Sequence, residues 1–430
     1  MRVRLESSRQ EITLKGPLLG RGGEASIYAV PGRSYLAAKI YHNPSDEHAG
    51  KLAAMLAAPP VSAPSAGQHV ALAWPMSRLL ELGGEDRVIG YLMPRIDKAH
   101  LLWEIYNPGV RREIGPHLHF GSLLRTARNL AALVNTLHEC GYVLGDLNES
   151  NVLVSPQGQV SLIDVDSFQT PAHDRLYRCR VGRPEYTPPE LQGVAFAEVD
   201  RLPQHDAFAL AALIFQLLMQ GIHPFAGVSS AGGESDSIAA RIAAGHWPYA
   251  WTRMTSIRPS PHAPPWHVLP PSAQELFRRC FEDAHSEPDL RPTAAQWQHG
   301  LEEAEHEMRV CPSDASHVYH RRLDRCPWCA LSSAVRPVST VIRGPLAENR
   351  RPTDEVRKIK VVDDPLPPRR QSEPASEPPP PGGAELVLRA IGMATEGSTW
   401  MVWVGVALVG VVAGIVYALH HALSNRSFSL

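Results

Sequence analysis

Between Leu19 and Pro292 the chain carries, in this order, Gly20-x-Gly22, Ala37-x-Lys39, Asp146-x4-Asn151, Asp164, Pro188-Pro189-Glu190, Asp206 and Arg291. Each residue type has a use in moving a phosphoryl group. Glycines in a tight turn let backbone N–H groups approach phosphate oxygens with no Cβ in the way. Lys39, on the strand-like run Leu36-Ala37-Ala38-Lys39 that follows, brings an ammonium within reach of the same phosphates. Asp146 and Asn151 are followed eighteen residues after Asp146 by Asp164. Two carboxylates and a carboxamide at this spacing, embedded in apolar text, are more than a surface turn needs.

Such a set has to be held by a sizeable framework. The chain has 430 residues, enough for more than one domain, and a hydrophobic content of 44% with 20% charged residues suits a globular protein. A net charge of −2 gives no electrostatic case for nucleic acid as a partner. No apolar run follows Met1, so no secretory signal is visible. From Ile12 to Arg95 short β-rich runs such as Ile27-Tyr28-Ala29-Val30 and Val88 to Met93 alternate with turn signals. One helical interruption is predicted after Lys39, at Glu47 to Ala58. From Phe120 the period becomes helical, with Leu123, Leu124, Ala127, Leu130, Ala131, Val134 and Leu137 on one face. A second helix, apolar almost all round, is predicted from Asp206 to Gly221. Pattern alone supports an α+β protein of two lobes, spanning about residues 12–305.

The motifs themselves say more. Gly141 to Val154, with Asp146-Leu147-Asn148-Glu149-Ser150-Asn151 inside it, resembles a protein kinase catalytic loop, and Asp164-Val165-Asp166 stands at the place of Asp-Phe-Gly. Val181 to Glu190 resembles the end of a kinase activation segment, a feature that small-molecule phosphotransferases lack. The resemblance implies a bilobal kinase-like fold with ATP and Mg2+ as reactants. Asp146 would accept the proton of the attacking hydroxyl, Asn151 and Asp164 would hold magnesium, and Lys39 would meet the phosphates. Gly20, Gly22, Gly23, Ile27, Ala37 and Met93 would surround the nucleotide, with Met93 to Ile96 as hinge against adenine. Glu47 is the one acidic residue beside Asp46 that could pair with Lys39, although at a helix start it could equally serve the helix macrodipole. Glu190 would pair with Arg291, and Asp206 would anchor the catalytic loop from below.

The chain also departs from that pattern. The third glycine of the loop is Ala25, Leu144-Gly145 replaces His-Arg, Asn148 stands where many Ser/Thr kinases carry lysine, and Asp166 replaces a flexible glycine. With no arginine before Asp146, phosphorylation of Ser167, Thr170 or Thr187 is not expected to be an obligatory switch. The expectation is a protein kinase acting on serine and threonine; the alternative is a pseudokinase scaffold that binds nucleotide and recruits partners. Trp74-Pro75, Gly90 to Pro94 and Leu162 to Phe168 are similar to one bacterial branch, the kinase of the tellurite-resistance-associated phosphorylation triad. That resemblance implies protein partners: a von Willebrand factor A protein and a PP2C-type phosphatase.

Beyond Met308 the text changes character. Cys311-x5-His317-x8-Cys326-Pro327-Trp328-Cys329, within 309–331, offers three thiolates and an imidazole, a ligand set for structural Zn2+. Cys326 and Cys329 could instead form a redox pair, but no βαβ pattern surrounds them. Residues 332–395, rich in Pro, Ser, Arg and Glu, read as a disordered linker. Trp400 to Leu419 has no charged side chain and is long enough for one transmembrane helix. Eleven residues follow it, which implies tail-first insertion in the cytoplasmic membrane with the kinase lobes in the cytoplasm. Gly410-x3-Gly414 offers a weak dimer contact between such helices.

Overall fold

The structure is a computed structural model and describes residues 1–60, 68–83, 86–115, 117–229 and 237–334. The apolar run Trp400 to Leu419 and all of the expected linker after residue 334 lie outside the described residues. Among the described residues no helix is long and apolar enough to cross a membrane.

The smaller lobe is a seven-stranded antiparallel sheet. Its strands are β1 (Arg2–Leu5), β2 (Glu11–Thr13), β3 (Leu18–Arg21), β4 (Ala25–Ala29), β5 (Leu36–Tyr41), β6 (Ser77–Glu81) and β7 (Val88–Pro94), in the order β2-β1-β6-β7-β5-β4-β3. The lobe therefore starts before Ile12: β1 pairs with both β2 and β6. Helix α1 (Asp46–Ala57) follows β5 and opens on Ser45, whose hydroxyl accepts the His48 N–H.

Alternation along β5 decides which side chains face the other lobe. Leu36, Ala38 and Ile40 enter one apolar cluster, whereas Ala37 and Tyr41 enter the larger core shared with α1 and the helical lobe. Lys39 lies between Ala37 and Tyr41 on that second face, because strand side chains repeat every two residues. Tyr91 is directly opposite Lys39 on β7. Next to it Gly90 must be glycine, since a Cβ there would lie 2.0 Å from the Lys39 carbonyl oxygen.

The larger lobe begins with β8 (His100–Leu101), α2 (Leu102–Tyr106) and α3 (Pro108–Ile114). Helix α4 (Phe120–Glu139) buries the stripe read from the sequence, Leu123 through Leu137. The catalytic-loop residues then precede β9 (Val152–Val154) and β10 (Val160–Leu162), and β11 (Thr170–Pro171) with β12 (Leu176–Tyr177) form a small hairpin. Helix α5 (Pro203–Leu218) starts three residues earlier than the apolar pattern suggests, because Pro203 fits the first helical position. It is buried along nearly its whole length, and Phe208 and Phe215 meet Phe281 at ring separations of 5.6 and 6.4 Å. Truncating such a phenylalanine to alanine typically costs about 3–5 kcal/mol. The lobe closes with β13 (Gly227–Ser229), α6 (Ile238–Ala244), β14 (Ile257–Pro259), α7 (Pro271–Arg278) and α8 (Ala294–His306).

The Cys/His segment is not a separate body. Its hairpin, β15 (Met308–Val310) with β16 (Val318–His320), and helix α9 (Pro327–Ala334) sit on the large lobe. Trp328 stacks 5.0 Å from Phe120 at the start of α4 and donates its indole N–H to the Val318 carbonyl at 2.7 Å. Arg322 donates to the carbonyls of His267 and Leu269.

Candidate active site and metal centre

Lys39 reaches the interlobe cleft from β5 with its side chain 6% exposed. Its Nζ donates to Asp164 Oδ1 and to Asp166 Oδ1, both at 2.6 Å. Burial alone would lower the lysine pKa, but Asp166 and Asp164 outweigh it and hold the ammonium charged. Asp166 is buried too; burial would raise its pKa, and the lysine charge with three donated hydrogen bonds brings it below the usual carboxylate range. Those donors are Lys39, Tyr41 Oη to Oδ2 at 2.8 Å and Tyr91 Oη to Oδ1 at 2.8 Å. Asp164 adopts a left-handed backbone, φ 59° and ψ 32°, a conformation that non-glycine residues seldom take. Its side chain is 41% exposed.

Glu47 is not the lysine partner. It pairs with Arg180 of the activation segment at 2.8 Å. Arg180 draws Glu47 toward the activation segment, and Asp166 occupies the lysine instead. In the sequence Asp166 shows only as a replaced glycine; Tyr41 and Tyr91, on the inner face of β5 and β7, are the signal that marks it as a buried carboxylate.

Asp206, at the start of α5, accepts the backbone N–H of Leu144 at 2.7 Å and of Gly145 at 2.8 Å, with His138 Nε2 at 3.0 Å. This fixes the loop that carries Asp146. Asn148 donates to Asp146 Oδ1 at 2.9 Å while its own carbonyl accepts from Ser150 N and Oγ. Asn148 is thus a buried brace. Asn151 Nδ2 donates to the Asp146 carbonyl at 3.0 Å, which leaves its amide oxygen for a cation. Burial raises the Asp146 pKa, opposed by the Asn148 hydrogen bond and reinforced by the charge of Asp164. With Asp164, these are oxygen donors of the kind magnesium takes.

The glycine turn joins β3 to β4. Gly22 N donates to the Ala25 carbonyl at 2.9 Å. None of Gly20, Gly22 and Gly23 has a positive φ, and a Cβ at Gly23 would touch nothing. Neither backbone conformation nor internal packing demands glycine there. Ile27 lies opposite Lys39 and Ala37 opposite Met93, all toward the inner face.

Glu190 and Arg291, 101 residues apart, form a bidentate pair at 2.6 and 2.7 Å with the arginine side chain fully buried. Arg201, which the sequence reading missed, is also buried. It donates to the carbonyls of Gly145 and Val181, and its guanidinium lies 3.8 Å over the Phe196 ring. Gly145 has φ +72° and a Cβ there would collide with Cys179 at 2.6 Å. The catalytic loop and activation segment are therefore in direct contact where the family has an arginine.

Cys311, His317, Cys326 and Cys329 bring one donor atom each to within 4.8 Å of one another. Sγ of Cys311 and Cys329 are 3.6 Å apart, and Cys329 Sγ is 3.4 Å from His317 Nδ1. A zinc tetrahedron with Zn–S of about 2.3 Å has edges near 3.8 Å, so the donor set fits a metal of that size.

A bilobal arrangement with a lysine, a catalytic-loop aspartate and asparagine, and a Glu–Arg pair with a buried arginine in the large lobe defines the protein kinase class. Residues 98–300 match the protein kinase domain model, and the chain belongs to the protein kinase superfamily. It is similar to "Protein kinase YegI" of Escherichia coli strain K12, 35% identical over 336 residues, covering 77% of this chain and 50% of the relative. The same protein of Escherichia coli O157:H7 is 35% identical over 338 residues, covering 77% and 51%. The chain thus spans about half the length of the curated relatives it matches. Among solved structures, the ROP18 kinase domain in complex with AMP-PNP and sucrose is 18% identical with a TM-score of 0.47, covering 70% of this chain and 82% of that one.

Proposed function

We propose that the chain is a Mg2+-dependent protein kinase that passes the ATP γ-phosphate to serine and threonine hydroxyls of proteins. The observation that supports this most is the Lys39–Asp164 pair beside Asp146, which Asn151 braces and which the Asp164 charge reaches. Bound magnesium would neutralise phosphate charge, held by Asn151 and Asp164. Lys39 would orient the phosphates, and Asp146, braced by Asn148 and Asn151, would take the hydroxyl proton. Transfer of labelled γ-phosphate by the purified chain to itself and to a generic protein tests this, with phosphoamino-acid analysis of the product. Nucleotide binding without transfer would favour the pseudokinase scaffold, and phosphotyrosine alone would overturn the acceptor assignment. The resemblance makes a von Willebrand factor A protein and a PP2C-type phosphatase the partners to try.

The activation segment should need no phosphate. Arg201 and the Cys179–Gly145 contact already join it to the catalytic loop. Complete dephosphorylation is expected to leave transfer within about twofold. Removing a charge-assisted hydrogen bond costs about 1.5–3 kcal/mol, so Arg201→Ala should lower transfer by about ten- to a hundredfold. A large loss on dephosphorylation, or none in Arg201→Ala, would count against this.

We also propose that Cys311, His317, Cys326 and Cys329 hold a structural zinc ion, and that Trp400 to Leu419 anchors the kinase to the cytoplasmic membrane. The membrane reading is supported by twenty residues without a charge, about 30 Å as a helix at ~1.5 Å per residue. The whole chain is expected in the membrane fraction and released only by detergent, whereas truncation before Trp400 should give a soluble, active kinase. Finding the whole chain soluble would end the membrane proposal.

A further inference from the structure

We propose that Asp166, and not a carboxylate on α1, is the positioning residue that orients Lys39, and that Tyr41 and Tyr91 hold Asp166 for that task. The inference rests on the phosphoryl-transfer reading for its consequence but on geometry for its content. Lys39 has two carboxylate partners at the same 2.6 Å, and they differ in kind. Asp164 is 41% exposed at the cleft, where a metal would claim it. Asp166 is only 5% exposed. Both its oxygens are taken from the small lobe: Oδ1 by Lys39 and Tyr91, Oδ2 by Tyr41. A buried carboxylate so saturated has one stable position.

The construction explains why this residue sits there. The left-handed turn at Asp164 followed by the 3-10 turn Val165–Ser167 carries residue 166 back toward β5. Tyr41 shares the Lys39 face of β5, two residues on, and Tyr91 is the cross-strand neighbour of Lys39. All three donors thus converge from a rigid sheet, whereas a flexible glycine at 166 could make none of these contacts.

Helix α1 is then freed for a different connection. Glu47 meets Arg180 of the activation segment, and a Cβ on Gly50 would lie 2.3 Å from the Tyr177 hydroxyl, so β12 packs closely on α1. A displacement of α1 would disturb the activation segment, and through His48, stacked 4.2 Å from Tyr41, it would also reach the Asp166 brace.

The test measures Mg-nucleotide affinity with a fluorescent ATP analogue, beside phosphate transfer, in the whole chain. Asp166→Asn is expected to lower kcat about ten- to a hundredfold, a loss of orientation, and to weaken Mg-nucleotide affinity in the same direction as Lys39→Met. Glu47→Gln should cost less than about threefold. In nucleotide affinity, Lys39→Met with Asp166→Asn should be no weaker than Lys39→Met alone, the signature of one residue acting through another. Additive losses, or a Glu47→Gln effect as large as that of Asp166→Asn, would overturn the proposal. If Asp166→Asn does not fold, Tyr41→Phe decides: a kcat lowered about three- to tenfold supports it, since one of three donors is lost, and an unchanged kcat overturns it. A wild type that binds nucleotide with a non-additive cycle but transfers nothing would retire the kinase reading and keep this one.

Discussion

Asp146→Asn is expected to lower phosphate transfer about a hundred- to ten-thousandfold while leaving Mg-ATP affinity within about threefold, the range for loss of a positioned general base. On the barrier that is about 3–5 kcal/mol. The change is isosteric, and the groups that brace Asp146 remain. Leu144 and Gly145 keep their bonds to Asp206, and Asn151 still donates to the main-chain carbonyl of residue 146. Binding should therefore survive while chemistry fails. Asp164→Ala should fail differently, since a metal-facing carboxylate contributes to nucleotide affinity as well as to rate. It also removes one of the two partners of Lys39. Steady-state transfer over a range of ATP concentrations separates the two: kcat should fall in the first, and kcat with ATP affinity in the second. Full activity in Asp146→Asn would remove the assigned base.

What the sequence showed and hid follows from separation along the chain. Asp146, Asn151 and Asp164 lie within nineteen residues, so a local spacing carries them. The α4 stripe was legible because twenty residues of one helix repeat their period five times. Strands β1 and β2 have four and three residues, too short to show alternation, and their place in the sheet depends on β6 more than seventy residues away. Lys39 and Asp166 are 127 residues apart, and no spacing rule links them. The family resemblance directs the lysine partner to α1, whereas in the sequence Asp166 shows only as a substitution for glycine. Arg201 was missed for a similar reason. An arginine absent before Asp146 was noted, but its replacement comes from a loop that approaches only in three dimensions.

Zinc removal is the second large effect expected, and the packing changes where it should be felt. Structural zinc contributes on the order of 10–16 kcal/mol of apparent binding free energy in small finger peptides, which are unfolded without it. The hairpin β15–β16 has three residues per strand and little core of its own. Without metal, three thiols and an imidazole crowded within 4.8 Å are left with weak sulfur contacts, such as Cys329 Sγ to His317 Nδ1, and a short hairpin. Were the segment independent, its loss would spare the kinase lobes. Trp328, however, is packed on Phe120 and shares the main core, so its release uncovers the N-terminal end of α4. Withdrawing one large, partly buried side chain from this contact costs up to about 1.5–3 kcal/mol. At roughly 2–4 °C per kcal/mol, the large lobe should melt on the order of 5–10 °C lower after chelation. Elemental analysis should find one zinc per chain, and Cys326→Ser should reproduce the lower melting temperature without chelator. Phosphate transfer at low temperature should survive, because none of the four ligands belongs to the cleft. A protein without zinc that instead cycles a Cys326–Cys329 disulfide would replace the structural metal with a redox pair, and the melting shift would then follow reductant rather than chelator.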